Sequence, residues 1–341
     1  MQRLRFMCSW FNGGMSGTDE GKVVGSGWTA AEMPSQAGRR ALITGANSGI
    51  GYHAALELAR KGAHVLLACR NKAKGDRALV RLRAEVPTAS AEVVLLDLAS
   101  LASVCAFGAA ELALGEPLDL LINNAGVMAP KKRHETVDGF EIQFGTNVLG
   151  HFVLTAVLLP ALVRAAAVRS QRPRVVTLAS IAHKQGRLNF DDLQSAKNYG
   201  PMIAYRQSKL ADLMLAFELG RRLRAAGPPI SGVMSAAAHP GVANTNLFQV
   251  GEHSAAERVL RRGFGVAIGA LLNSEAEGAV PTLFAATSPD VVDGGYYGPQ
   301  GLLEMRGGDV GLAKVAPQAL DQAAAARLWS ECERLSGISL L

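Results

Sequence analysis

Short apolar runs alternate with amphipathic stretches along most of the chain. The apolar runs are typical of buried strands, and the stretches between them repeat apolar residues every three or four positions, as helices do. The runs predict strands at 40–44, 63–69, 91–97, 118–123, 174–180, 231–237 and 295–298. The amphipathic stretches predict helices at 49–62, 73–85, 100–114, 138–168, 201–226, 254–272, 275–287 and 317–335. This alternation indicates an α/β fold, a mainly parallel sheet with helices on both faces.

Residues 1–37 lack this pattern and are rich in glycine. We expect them to form a flexible N-terminal extension, followed by one domain over 38–341. One local signal stands out within the extension. Thr29 and Glu32 have the spacing of a capping box, and Pro34 ends the turn that they predict.

The longest uncharged run, 142–163, is long enough to cross a bilayer. It also carries Gln143, Asn147, His151 and Pro160, so a buried helix, with a possible break near Asn147, is the better interpretation. We therefore expect no transmembrane segment.

Composition excludes several classes of protein. Apolar residues make up 49% of the chain and charged residues 19%, which indicates a folded globular protein. The net charge is +6, but the basic residues are scattered in small groups, so we expect no nucleic-acid binding. The four cysteines have no paired pattern and no metal-ligand spacing, which favours reduced thiols, a cytoplasmic location and no metal site.

A glycine-rich turn follows the first predicted strand and opens the first helix. Glycines at such a turn let the backbone approach a pyrophosphate, and the helix N-terminus offers N–H donors to it. The alternative is a plain tight turn, but the strand–turn–helix context favours a dinucleotide. The candidate cofactor-binding residues of this turn are Gly45, Asn47, Ser48, Gly49, Ile50 and Gly51.

The second strand ends at Arg70, where an NAD-binding unit usually has an acidic residue. A guanidinium suits a 2′-phosphate, so the sequence favours NADP(H) over NAD(H), with Lys72 and Lys74 nearby. The alternative is an exposed arginine at the end of a strand.

Polar residues also follow the third and fourth strands. Asp97, followed by Leu98, could accept from an adenine amino group or serve as the N-cap of the next helix. The run Asn123–Gly126, which includes Asn124 and Ala125, could cradle a cofactor or satisfy loop backbone.

Tyr205 and Lys209 are four residues apart, so they share one face of a predicted helix. A free tyrosine is a poor proton-transfer group at pH 7, and a neighbouring ammonium favours the phenolate. The hydroxyl of Ser180 could hold a substrate oxygen against the phenol. Together they suit proton transfer to or from an alcohol or carbonyl oxygen. The alternative for the pair taken alone is an ordinary surface pair on a helix, and the other motifs of the chain favour the catalytic interpretation.

In this order, these motifs resemble those of the short-chain dehydrogenase/reductase family. The resemblance covers about residues 38–300 and is strongest to its retinol-dehydrogenase-like and protochlorophyllide-reductase-like branches. It rests on 68–71, 123–128, 180–183, 205–209 and 239–241. It implies a single-domain, doubly wound Rossmann fold.

The resemblance also implies a role for each site residue. Tyr205 is then the general acid/base, Lys209 binds the nicotinamide ribose, and Ser180 orients the substrate oxygen. Asn147 supports a water for proton relay, or else fills a break in the long helix. The loop near the nicotinamide carboxamide corresponds to Pro240, Gly241 and Thr245.

The sequence thus predicts an NADP(H)-dependent oxidoreductase acting on a carbonyl or secondary alcohol, with a lipophilic small-molecule substrate. Met128, loop 184–199 and segment 242–262, including Leu247, Phe248 and Val250, are expected to wall the pocket. A nucleotide-binding regulator without turnover is the alternative, followed by a peripheral membrane or nucleic-acid binder. The oligomeric state stays open, a homo-oligomer included.

Overall fold

The protein is described by a computed structural model that covers residues 27–242, 273–307 and 309–341. The strands in this part are β1 Arg40–Thr44, β2 His64–Cys69, β3 Ala91–Leu95, β4 Leu120–Asn123, β5 Arg174–Leu178, β6 Met234–Ala238, β7 Tyr296–Pro299 and β8 Val310–Leu312. The α-helices are α1 Gly49–Arg60, α2 Lys72–Glu85, α3 Leu101–Ala113, α4 Gly150–Val168, α5 Pro201–Ala225, α6 Glu275–Thr287 and α7 Gln322–Ser336.

The strands form one sheet in the order β3-β2-β1-β4-β5-β6-β7-β8. Neighbours pair in parallel, apart from the antiparallel pair of β7 and β8. The strand order reverses direction between β1 and β4, so a crevice opens at their carboxyl ends, where this kind of sheet binds its ligands. The predicted doubly wound α/β fold is confirmed.

Each face of the sheet is covered by its own apolar core. One core contains Trp329, Phe144 and many leucines from α4, α5 and α7, and the other contains Tyr52, Phe284 and Tyr297 with α1 and α6. Because the strands are covered on both faces, their residues are apolar almost throughout. This explains why the strands could be predicted from short apolar runs.

The predicted helix 138–168 is wrong at its start. Glu135 and Glu141 form an antiparallel bridge, and Gly139 has a φ of +84° in the turn between them. The side chain of Asp138 accepts the Leu101 N–H at the start of α3 instead of lying in a helix. The predicted break is present as a π-helical segment, Phe144–Leu149, that runs into α4.

The segment Phe144–Val168 is long and apolar enough to cross a membrane by length and composition. Half of its most apolar window is buried inside the protein, where Val148, Leu149 and Val153 contact the core.

Several element ends differ from the predictions. β3 ends at Leu95, β6 begins at Met234 after a short 3₁₀ turn, and Asp321 separates a 3₁₀ turn from α7. Strand β8 was not predicted, because its three residues carry no pattern and are held by pairing with β7. The predicted helix 254–272 lies outside the described residues.

Residues 28–33 pack on the body, so the prediction of a flexible extension up to residue 37 is wrong for them. Trp28 and Met33 are buried, and the Trp28 ring lies edge-on to Phe284 with 5.3 Å between centroids. The predicted capping box is present, with Thr29 and Glu32 each accepting from the other's backbone. The preceding residues 1–26 lie outside the described part of the chain.

Trp28→Ala should therefore destabilise the fold. Truncation of a buried aromatic side chain costs about 3–5 kcal/mol, through lost burial and the cavity left behind. Urea unfolding would measure the change. Val137→Ala, at an exposed position, is the control and should stay within about 0.5 kcal/mol of wild type. Equal stability of the Trp28 variant and wild type would show that this packing does not contribute.

Candidate active site

The Thr44 hydroxyl joins the carboxyl ends of β1 and β4. It accepts the N–H groups of Asn124 and Ala125, each at 2.9 Å, and lies 2.9 Å from His151 Nε2. The Asn124 side chain donates to the Thr44 carbonyl at 2.7 Å. These bonds fix the two sides of the crevice, and the Asn124 side chain satisfies loop backbone, one of the two roles considered for it.

The glycine-rich turn is shaped by its glycines. Gly45 and Gly49 have positive φ values of +70° and +62°, which residues with a Cβ rarely adopt. A Cβ on Gly51 would lie 2.4 Å from Asn124 Nδ2 and 2.7 Å from the Gly45 carbonyl oxygen. Backbone conformation thus favours glycine at positions 45 and 49, and close packing excludes a side chain at position 51.

The N-terminus of α1 is suited to an anion. Its N-cap is Ser48, which makes no side-chain capping bond; Asn47 donates to the Ser48 hydroxyl. By contrast, Asn71 caps α2 and Ser100 caps α3. Among the described residues, no side chain accepts from the first N–H groups of α1, including that of Ile50, so these groups suit a pyrophosphate. The residues present fit a dinucleotide at this turn.

Arg70 follows β2 directly, and β2 lies beside the turn because the Gly45 N–H donates to the Ala68 carbonyl. The Arg70 side chain is exposed and has no hydrogen bond or ion pair in the described part of the chain. Lys72, in contrast, pairs with Asp76 on α2. At the carboxyl end of β2, the Arg70 guanidinium is thus unpaired as far as residues 27–242, 273–307 and 309–341 are concerned.

Asp97 is not the N-cap of α3, one of the two roles predicted for it. Ser100 caps that helix, while Asp97 Oδ1 accepts the Ala99 N–H at 3.0 Å. Leu98 is buried in the core. Asn123 faces away from the turn, since its Nδ2 donates to the Thr155 hydroxyl on α4.

Asn147 lies in the middle of the π-helical segment and is fully buried. Its Oδ1 accepts the Val127 N–H at 2.7 Å, and its Nδ2 donates to the Val127 carbonyl and to the Ser208 hydroxyl, both at 3.0 Å. The side chain thus connects the loop after β4 to α5. Gly126 lies beside both groups, since a Cβ there would be 3.4 Å from Asn147 Oδ1 and 3.9 Å from Lys209 Nζ.

One face of α5 carries positions i, i+3, i+4 and i+7 of this helix, which are Tyr205, Ser208, Lys209 and Asp212. The Tyr205 ring is buried, but its hydroxyl has no hydrogen-bond partner among the described residues. The Ser208 hydroxyl donates to the Tyr205 carbonyl at 2.9 Å. The helix therefore presents the phenol next to the lysine with its oxygen available.

Lys209 is almost fully buried and donates to the Leu178 carbonyl and to Asp212 Oδ2, both at 2.8 Å. Burial by itself would lower the pKa of Lys209, but the Asp212 carboxylate and Tyr205 outweigh it and raise the pKa above its ordinary value. Burial raises the pKa of Asp212 to about 6, against the attraction of Lys209. At neutral pH the two therefore form a buried ion pair.

Ser180 follows β5, which pairs with both β4 and β6. Its hydroxyl accepts the Ala182 N–H at 3.2 Å and makes no hydrogen bond to Tyr205 in the described structure. His183, one turn later, is fully buried. Its Nδ1 donates to the Ser180 carbonyl at 2.7 Å and its Nε2 accepts the Ala316 N–H, so its role is to fix the Ser180 loop.

The turn after β6 holds Pro240 and Gly241. Gly241 has a φ of +70°, and a Cβ there would lie 2.5 Å from the Met305 carbonyl oxygen. Asn273 Nδ2 donates to the Pro240 carbonyl at 2.9 Å. Thr245, and with it the predicted wall residues Leu247, Phe248 and Val250, lies outside the described residues.

Loop 184–199 packs partly against α5 and α7. Gln207 of α5 holds the loop by two hydrogen bonds, to the backbone of Asn189 and of Leu193, and Arg327 of α7 lies over the Phe190 ring.

Sequence reasoning missed three residues of the site: His151, Asp212 and Asn273. His151 is four residues after Asn147 and Asp212 three after Lys209, spacings that place each pair on one helix face.

The chain is similar to known proteins over most of its length. Residues 39–255 match the family model of the short chain dehydrogenases. The chain is 41% identical to mouse (Mus musculus) polyprenol dehydrogenase over 308 residues, which are 89% of this chain and 86% of the relative. It is 39% identical to human (Homo sapiens) retinol dehydrogenase 13 over 319 residues, 91% of this chain and 89% of the relative.

A solved structure is similar over almost its whole length. It is the crystal structure of an uncharacterised protein from Mycobacterium paratuberculosis, with a TM-score of 0.73 and 40% sequence identity. The match covers 92% of this chain and 99% of that one.

His151 should make stability depend on pH. Burial lowers the pKa of His151 to about 3, so between pH 6.5 and 3 the unfolded chain binds a proton there that the folded chain does not. The free energy of unfolding therefore falls with falling pH, by about 1.4 kcal/mol per unit from this group. His151→Leu removes that contribution. The difference in the free energy of unfolding between this variant and wild type should therefore change by this slope between pH 6 and 4.

Urea unfolding of both proteins at several pH values is the measurement. Phe152→Leu, a core change without an ionisable group, should give a difference that does not vary with pH. A constant difference for His151→Leu would show that the histidine is not held neutral.

Proposed function

Since the chain belongs to the short-chain dehydrogenase family, we propose that it is an NADP(H)-dependent oxidoreductase. It moves a hydride between the nicotinamide and the carbon of a lipophilic alcohol or carbonyl compound. The observation that carries this proposal is the Tyr205 hydroxyl, which has no protein partner in the described residues and lies on the same helix face as the buried Lys209 ammonium.

The bound dinucleotide would supply or accept the hydride. The N-terminus of α1 holds its pyrophosphate. Lys209 already donates to Leu178 and Asp212, so it has one N–H left for the ribose. In the reductive direction, Tyr205 donates a proton to the substrate oxygen, and the Ser180 hydroxyl positions that oxygen. In the oxidative direction, Tyr205 takes the proton back.

The preference for NADP(H) follows from Arg70. Arg70 follows β2, whose Ala68 carbonyl accepts the Gly45 N–H of the glycine-rich turn, and its exposed guanidinium has no protein partner among the described residues. Bidentate donors of this kind suit a phosphate better than a ribose hydroxyl.

The substrate class is supported by two observations. The similar proteins are named for polyprenol and retinol. In this chain, Met202 and Ile203 are exposed apolar side chains less than one turn before Tyr205. We propose a lipophilic alcohol, or its carbonyl product, as the substrate.

The proposal includes a cytoplasmic location, in line with the free cysteines Cys69, Cys105 and Cys332.

Tyr205→Phe removes one hydroxyl and no packing. Turnover should fall by about two orders of magnitude or more, as expected for loss of a general acid. NADPH oxidation against aldehydes, ketones and quinones, and NADP⁺ reduction with long-chain alcohols, would measure it. Binding of NADPH, followed by its fluorescence, should barely change. Turnover close to wild type would remove Tyr205 from the mechanism.

Arg70→Asp should shift the cofactor preference. A charge-assisted hydrogen bond contributes about 1.5–3 kcal/mol, so kcat/KM with NADPH relative to NADH should fall at least about tenfold. Lys72→Asp, two residues away, makes the same change of charge at a side chain already paired with Asp76. It is the matched control and should change the ratio much less. A wild-type preference for NADH, or an unchanged ratio in Arg70→Asp, would overturn the assignment of NADP(H).

A further inference from the structure

Asp212 is the buried counter-ion of Lys209. The two side chains are 4% and 7% exposed, and Asp212 Oδ2 lies 2.8 Å from Lys209 Nζ. The second bond of the ammonium, to the Leu178 carbonyl, is to a neutral group. The carboxylate thus determines both where the ammonium points and how much of its charge remains uncompensated.

The other titratable groups around Asp212 are neutral at pH 7. His151 faces it from α4, and burial lowers the pKa of this imidazole to about 3. Cys332 faces it from α7, and burial, with a smaller contribution from Asp212, raises the pKa of this thiol. Tyr205 acts on Lys209 from the same helix. Within this cluster, the charge of Lys209 is therefore balanced by that of Asp212 alone.

A small cavity of about 30 Å³ lies on the side of Asp212 between α4, α5 and α7, lined among others by Asn123, Thr155, Asp212 and Trp329. The Asn123 Oδ1 atom is buried and has no hydrogen-bond partner in the described structure. A cavity needs about 10–15 Å³ to hold a water, so this one has room and polar partners for it. Such a water would solvate the carboxylate and favour its ionised form.

We infer that Asp212 is a positioning residue that sets the pH range over which the Tyr205–Lys209 pair exchanges its proton. The carboxylate holds the ammonium in place and cancels part of its charge. Without this negative charge, the pair would lose a proton more readily, because no buried anion would offset the ammonium. This inference rests on the proposed function for its catalytic consequence, but the charge effect exists without turnover.

The test compares Asp212→Asn with wild type in two measurements. The first is a titration of phenolate absorbance in the cofactor-free protein, with Tyr205→Phe made in each background to isolate the signal of Tyr205. Burial raises the pKa of each of the other four tyrosines, Tyr52, Tyr199, Tyr296 and Tyr297. The second is kcat/KM for alcohol oxidation as a function of pH.

In Asp212→Asn, the Tyr205 phenolate signal should appear about one pH unit or more below that of wild type. The acid limb of kcat/KM should move in the same direction. Asp212→Glu keeps the charge and should restore the wild-type midpoint. Glu218→Gln removes another ion-paired carboxylate of α5, bound to Arg221 and Arg222, and should shift neither midpoint.

Unchanged midpoints in Asp212→Asn, or an equal shift in Glu218→Gln, would overturn the inference. If the asparagine variant does not fold, Asp212→Thr gives a second uncharged replacement for the same titration. Failure of the proposed function would give a different result, namely that Tyr205→Phe keeps its turnover. The phenolate titration does not depend on turnover, so it would still test the effect of Asp212.

Discussion

The site depends on the hydrogen bonds of the Thr44 hydroxyl. This group, at the end of β1, accepts two N–H groups of the loop after β4 and has one proton left to donate. The His151 ring receives that proton at Nε2, because its Nδ1 must donate to the Asn147 carbonyl, 2.9 Å away. The tautomer of the histidine follows from this network. One hydroxyl thereby connects the glycine-rich turn to the helical segment that carries Asn147.

The π-helical segment gives Asn147 its place in this network. In a regular helix, a carbonyl accepts the N–H four residues later, but here the Asn147 carbonyl also accepts from the His151 ring. The side chain meanwhile binds both backbone groups of Val127 and the Ser208 hydroxyl. Leaving such buried groups unpaired would cost about 1–3 kcal/mol each. The irregular helix is thus stabilised by contacts at the site, and both roles considered for Asn147 are compatible with its geometry.

Much of the fold could be predicted because its signals are local. The limits of β1 and the start of α1 follow from an apolar run and the glycines after it. Helix α5 follows from Pro201 at its first turn and from the long amphipathic stretch after it. The predictions failed where distant contacts decide. The Asp138 carboxylate accepts the Leu101 N–H of α3, 37 residues away in sequence, and Asp138 itself lies in a turn. Trp28 is buried only because Phe284 lies beside it in the folded protein.

The candidate site shows the same division. Arg70 and the glycines were identified from their position after predicted strands, because the ends of parallel strands meet at one edge. Asp97 was considered as an N-cap because it precedes a helix, whereas Ser100, nearer to α3, takes that place. Asp212 has the spacing to reach Lys209. Its burial, which strengthens the interaction between the two charges, depends on packing against α4 and α7. Spacing alone cannot reveal that burial.

Helix α5 explains how such a site can be precise although other parts of the crevice come from loops. Tyr205, Ser208, Lys209 and Asp212 belong to one regular helix, buried along most of its length against β5, β6 and α7. Their mutual distances are therefore fixed by helical geometry and do not depend on the loops around the crevice. Ser208 fixes the helix to Asn147, and Lys209 fixes it to the end of β5. The groups that would handle the proton are thus held by the same packing that stabilises the core of the protein.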